Sequence, residues 1–211
     1  MNRLFIYIGL ILPMFCLSQD IESELWFKMN FKEKIYNNLN ISFEPGSRYN
    51  IDDFFFTKQF LDASSELIIY KGKIGTLSFE LGGRLTKVPN QDKLGSRNYY
   101  TLFYSKRINN FDFSLRTRLF FEKNLSEYDK KYFRNKFSIQ YSNYKLLRPF
   151  IDFEFLNSLN SENDNKIRYS FGNSFKISKK RTIKLFYRLQ EFTQGSQNKK
   201  EIFGIYLIQK L

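Results

Sequence analysis

The 211-residue chain contains no histidine. That removes the commonest general base, the commonest transition-metal ligand and every Ser-His or Cys-His pairing. Its one cysteine is Cys16, near the N-terminus, so the chain beyond it has no disulfide framework and no thiolate metal site. No cofactor and no metal is expected. Beyond residue 18 no run is long and apolar enough for a membrane-spanning helix. Mean hydropathy is negative, yet aromatic residues make up 19% of the chain. The two facts agree if half of each structural element is greasy and the other half polar.

The first residues, Met1-Asn2-Arg3, are followed by an apolar run over 4–15 that is broken by Pro13. This has the layout of a secretion signal, and it is too short for a transmembrane anchor. Cys16 and Ser18 supply small residues at the minus-three and minus-one positions. The expected organisation is a signal peptide over 1–18, cleaved before Gln19, and a single domain over 19–211. A lipoprotein reading of Cys16 is opposed by Phe15, which occupies a place where a small residue is required.

What the chain has in abundance is alternation. In residues 111–122 one face is Phe111, Phe113, Leu115, Thr117, Leu119 and Phe121. The other is Asp112, Ser114, Arg116, Arg118, Phe120 and Glu122. A period of two means strands, because successive side chains leave a strand on opposite sides. The pattern recurs over 21–31, 35–44, 61–70, 74–85, 97–106, 133–141, 149–155, 167–177, 182–191 and 201–211. Polar stretches at 45–58, 86–96, 123–131, 156–165 and 192–199 alternate with tight turns at 32–34, 71–73 and 108–110 and a short link at 178–181. Short turns alternating with longer loops, and strands near ten residues, describe an all-β, antiparallel, up-and-down transmembrane barrel of about 10–12 strands. Eleven strands are legible. Single-chain bacterial barrels have an even number, so ten or twelve is expected, with 54–60 as the place for a missed strand. A soluble lipocalin-like barrel is the structural rival, since alternation alone does not say which face points inward. The strand number, the mixed charges of the polar face and the tyrosines near strand ends favour the membrane form. Tyr49, Tyr99, Tyr100, Tyr132 and Tyr144 are expected in interfacial girdles. Phe153 is expected to face lipid and Phe150 the lumen.

Lysine and arginine outnumber aspartate and glutamate 34 to 21, a formal net charge of +13. In a secreted barrel this points away from nucleic acid and towards a basic lumen, basic turns and lipopolysaccharide phosphates at the surface. Reflecting strands about their connections aligns the inward charges. Centring on Tyr144 sets Arg134 opposite Glu154 and Lys136 opposite Asp152. Centring on Ser161 sets Glu154 opposite Arg168, centring on Tyr128 sets Glu122 opposite Arg134, and the turn at Asn109-Asn110 sets Arg97 opposite Glu122. A row of alternating sign is expected: Arg97, Glu122, Arg134, Glu154, Arg168, with Arg116 and Arg118 on the same face. Opposite charges across a ladder stabilise pairing. The row reads as a lumen filled with salt bridges, or as a pore lining. Asp152 and Glu154 do not read as an acid/base pair, because basic partners hold carboxylates ionised.

At these strands the chain resembles the domain of unknown function 2490 family. The likeness is carried by Trp26, by Leu115-Arg116-Thr117-Arg118-Leu119, by Arg134 near the start of a strand, by Pro149-Phe150-Ile151-Asp152-Phe153-Glu154-Phe155 and by the strand from Arg168 to Gly172. It implies a secreted outer-membrane barrel, mostly of Bacteroidota, with no catalytic residue to transfer. The expected function is therefore a small non-enzymatic barrel in the outer membrane of a Gram-negative bacterium, structural or surface-interacting. The alternatives are a narrow passive channel and an outer-membrane enzyme acting on lipid. Expected partners are outer-membrane lipids, including lipopolysaccharide, and the barrel-assembly machinery.

Overall fold

The computed structural model describes residues 21–89, 94–123, 129–143, 146–160, 165–193 and 199–211. The expected signal peptide and its cleavage point lie outside the described residues, as do Tyr128, Tyr144 and Ser161. Among the described residues there are eleven strands: β1 (Glu22–Lys34), β2 (Leu39–Asn50), β3 (Phe56–Gly72), β4 (Gly75–Lys87), β5 (Gly95–Ile108), β6 (Phe111–Lys123), β7 (Asp129–Tyr141), β8 (Leu147–Ser158), β9 (Lys166–Lys176), β10 (Arg181–Phe192) and β11 (Lys200–Lys210). Each pairs antiparallel with the next, and β1 closes on β11, so the sheet is a closed barrel.

The even strand number expected from bacterial barrels does not hold among the described residues. An odd number leaves the first and last strands running the same way, and β1 pairs with β11 in parallel from Glu22–Lys200 to Lys32–Lys210. Closure is what matters in lipid, since an open edge would leave backbone groups without partners. The candidate extra strand at 54–60 is not separate. Phe56 opens the 17-residue β3, and Phe54 adopts a positive φ of 48° in the connection before it.

A second correction concerns β2. The stretch from Pro45 was expected to be loop, but the strand runs on to Asn50. Its ladder to β1 is interrupted between Lys28–Gly46 and Phe31–Phe43, opposite Pro45, which has no N–H to donate. Ladder pairing to β3 continues through Pro45–Leu61 to Arg48–Lys58. The turn between β1 and β2 accordingly falls at 35–38 rather than 32–34.

Alternation sorts the side chains as the strand period requires. The outward face carries exposed apolar residues on every side, among them Phe43, Leu61, Leu81, Leu102, Leu115, Phe137, Ile151, Phe171, Leu185 and Ile205. Glu24, Asp62, Arg118, Asp152, Glu154 and Arg188 are buried on the inward face. This is the reverse of a soluble barrel, and it makes lipid the outer solvent. Phe153 lies among the outer aromatics, against Phe155 at 4.4 Å and Tyr169 at 5.2 Å, while Phe150 is buried. Tyr49 and Tyr100 are exposed on the outer face, but Tyr99 and Tyr132 are buried, which takes them out of the expected girdle. Tyr99 and Tyr100 are consecutive and must face opposite ways. Tyr99, Phe120, Tyr132 and Leu156 form a small apolar cluster inside the barrel.

Candidate functional site

The inward face of the strands is a lattice of arginine, lysine and carboxylate. Arg97 and Glu122 are direct ladder partners across the two-residue turn at Asn109-Asn110, and Arg97 Nη2 lies 2.7 Å from Glu122 Oε2. Asn109 takes the left-handed conformation there, with φ of 51°, which asparagine tolerates well. Glu154 and Arg168 are also direct partners, at 2.7 Å.

Between these two pairs the expected row breaks. Glu122 faces Lys130 rather than Arg134. Arg134 faces Leu156 rather than Glu154, and Lys136 faces Glu154 rather than Asp152. The ion pairs Arg134–Glu154 and Lys136–Asp152 form nonetheless, both at 2.5 Å, because long side chains reach diagonally across the ladder. Arg116 adds a contact to Glu154 at 3.7 Å. One carboxylate therefore serves Arg116, Arg134 and Arg168, and its side chain is only 2% exposed.

Strict alternation of sign does not hold either. Arg84 lies opposite Arg97, Arg118 opposite Arg134, and Arg116 opposite Lys136. Each like-charged pair is relieved because its members turn to different acids. Arg84 goes to Asp62 at 2.7 Å and Arg118 to Glu80 at 2.9 Å, while their neighbours go to Glu122 and Glu154. Arg118 also donates through Nε to Thr101 at 2.8 Å and lies over the Tyr99 ring, with its guanidinium carbon 3.8 Å from the centroid.

Several lumen residues lie outside the expected charge row. Glu44 accepts from Lys28 at 3.0 Å and from the Tyr206 hydroxyl at 2.7 Å, joining β1, β2 and β11. The Tyr99 hydroxyl donates to Asp62 at 2.5 Å. Trp26 Nε1 donates to Glu24 at 2.5 Å. Three guanidinium carbons surround the Trp26 ring: Arg48 at 3.9 Å, Arg188 at 5.3 Å and Arg168 at 5.8 Å from its centroid. Arg48 falls in the stretch 45–58 that the polar composition marks as loop, and it lies instead within β2. The signal that finds it is parity, since Glu44, Gly46 and Arg48 continue the inward positions of the strand.

Inward aromatic rings lie flat on glycines of the next strand. Phe60 covers Gly46, Tyr99 covers Gly82 and Phe186 covers Gly204. A Cβ built on any of the three glycines would come within 2.2 Å of the ring. Absence of that Cβ is what lets the rings lie against the wall. Among the described residues no group of His, Cys, Asp and Glu has the arrangement of a metal site.

The barrel is similar to known structures. One is the NanC porin, with a TM-score of 0.60 at 12% identity, covering 89% of this chain and 98% of that one. An anion-selective porin from Comamonas acidovorans aligns with a TM-score of 0.44 at 14% identity, over 82% of this chain and 55% of that one. No curated protein matches the sequence. At 12% identity the likeness to the NanC structure establishes the fold alone, a closed all-β barrel. The model of the family described as protein of unknown function (DUF2490) matches residues 23–201, and the chain belongs to that family.

Proposed function

We propose that the protein is a narrow diffusion channel in the outer membrane of a Gram-negative bacterium, passing small polar solutes. One observation carries this reading. Near the middle of β1, β6 and β7, the side chains of Lys28, Arg116 and Lys136 are 24%, 26% and 21% exposed inside the barrel. Each has a carboxylate partner within ion-pair distance, yet the pairing does not seal the side chain off. Their exposure supports a water-reached path through the lumen rather than a packed plug. The rings laid on Gly46, Gly82 and Gly204 support it further, since they line the wall instead of crossing the bore.

A structural or surface-interacting barrel is the second reading. It is favoured by the apolar cluster of Tyr99, Phe120, Tyr132 and Leu156 inside the barrel and by the fully buried Ile202. Planar bilayers separate the two. A channel gives discrete, reproducible conductance steps when purified protein inserts. Insertion without ion conductance establishes the filled barrel instead.

A further inference from the structure

Arg48 is a lumen guanidinium whose neighbouring carboxylate, Glu24, acts on it only at longer range than an ion pair. Among the described residues its side chain makes no ion pair, and its Nε is shut off from water with no hydrogen-bond partner. It lies on Trp26 at 3.9 Å, and the heads of Arg188 and Arg168 approach the same indole. These groups come from β1, β2, β9 and β10, so the cluster spans the seam where the barrel closes.

The carboxylates nearby are already engaged. Glu24 takes the Trp26 N–H and Lys200 at 3.3 Å. Asp152 takes Lys136 and the Ser138 hydroxyl, each at 2.5 Å. Glu154 serves Arg168 together with Arg116 and Arg134. Arg188 has the Ser170 hydroxyl, a neutral acceptor, at 2.8 Å. Positive charge is in excess here, and a donor closed to bulk water lacks an acceptor. Arg97, Arg116, Arg134 and Arg148 carry an orphan Nε of the same kind; what sets Arg48 apart is its seat on Trp26 beside two further guanidiniums.

We propose that this cluster is a binding site for an oxyanion, the carboxylate or phosphate group of a small solute. Arg48 presents a planar fork of N–H donors, which matches two oxygens of such a group and not a spherical halide. Arg188 and Arg168 add attraction from β10 and β9, on the other side of the seam. Trp26 is the positioning residue, holding the three cationic heads by its ring face. The site rests on the channel reading for access to solute, but binding and conduction are separate measurements.

Trp26 is the chain's one tryptophan, so intrinsic fluorescence reports on the site directly. The folded full-length protein in detergent micelles is titrated with sodium acetate, with inorganic phosphate and with sodium chloride at matched ionic strength. A saturable change with acetate or phosphate, absent with chloride, is expected. Which of the two binds tighter identifies the source of the oxyanion. Arg48→Gln should weaken the response by about tenfold or more, the size of one lost charge-assisted hydrogen bond. Arg107→Gln, on a head that is 60% exposed beside a turn, should leave it unchanged. Heat-modifiable gel migration checks that Arg48→Gln has folded, and Arg48→Lys, which keeps the charge without the fork, should bind at an intermediate level. A response equal for chloride, or an undiminished response in folded Arg48→Gln, overturns the site. Conductance with no oxyanion response sinks this inference alone. An Arg48-dependent response in a barrel that does not conduct leaves the site standing and sinks the channel.

Discussion

Glu154 holds three guanidiniums with one carboxylate, and it is among the most buried groups in the lumen. Removing its charge leaves Arg116, Arg134 and Arg168 facing one another. Breaking a buried ion pair by deleting one partner costs about 3–5 kcal/mol. Glu154→Gln should therefore lower stability by that order in urea titrations of the protein folded into lipid vesicles. A loss within experimental error would show that water in the lumen screens the arginines. The exchange Arg134→Glu with Glu154→Arg tests the same point. If Glu154 served Arg134 alone, the double reversal would restore stability. Because Arg116 and Arg168 remain, a new arginine at position 154 meets two like charges, and rescue should fail.

At the level of the strand, the barrel wall works by pairing rings with glycines. Tyr99 on β5 covers Gly82 on β4, and a Cβ at Gly82 would lie 2.2 Å from the Tyr99 Cζ and 2.3 Å from its hydroxyl. That hydroxyl donates to Asp62 on β3. Gly82→Val must displace the ring towards the bore and break the bond to Asp62. Overpacking of this kind costs about 1–3 kcal/mol. Single-channel conductance in planar bilayers should fall along with stability. Unchanged conductance would mean that the path runs along the opposite wall. The course of β2 follows a comparable local rule. A proline stops a ladder bond on one side only, so the strand passes Pro45 and still delivers Arg48 to the lumen.

For the whole molecule, closure and the outer belt decide its solvent. With β1 on β11 no sheet edge remains, and the outward face shows large exposed hydrophobics around its circumference. The folded chain should require detergent for extraction from the membrane fraction. Unheated in SDS it should migrate faster than when boiled, because a closed barrel resists the detergent. Recovery as a water-soluble monomer would contradict the outward placement of the apolar face.

Alternation by itself determined the strands and the two faces. Phe153 against Phe150, or Arg116 against Leu115, needs only a period of two. A tight turn fixes register as well, which is why Arg97 and Glu122 could be paired through Asn109-Asn110 from sequence. Longer connections do not have that property. A slip of two or four residues leaves every side chain on its own face, so the pattern is blind to it. That is how Lys130 came to lie where Arg134 was expected, and why Glu154 became a hub rather than one link in an alternating row. Tyr99 and Tyr132 were placed by their nearness to strand ends, when parity already sent them inward. An up-and-down barrel must join its first strand to its last, but the parallel register of that seam lay beyond the sequence. How the seam is staggered, and therefore that Arg48, Arg168 and Arg188 converge on Trp26, depends on curvature accumulated around the whole sheet, and only the closed tertiary structure decides it.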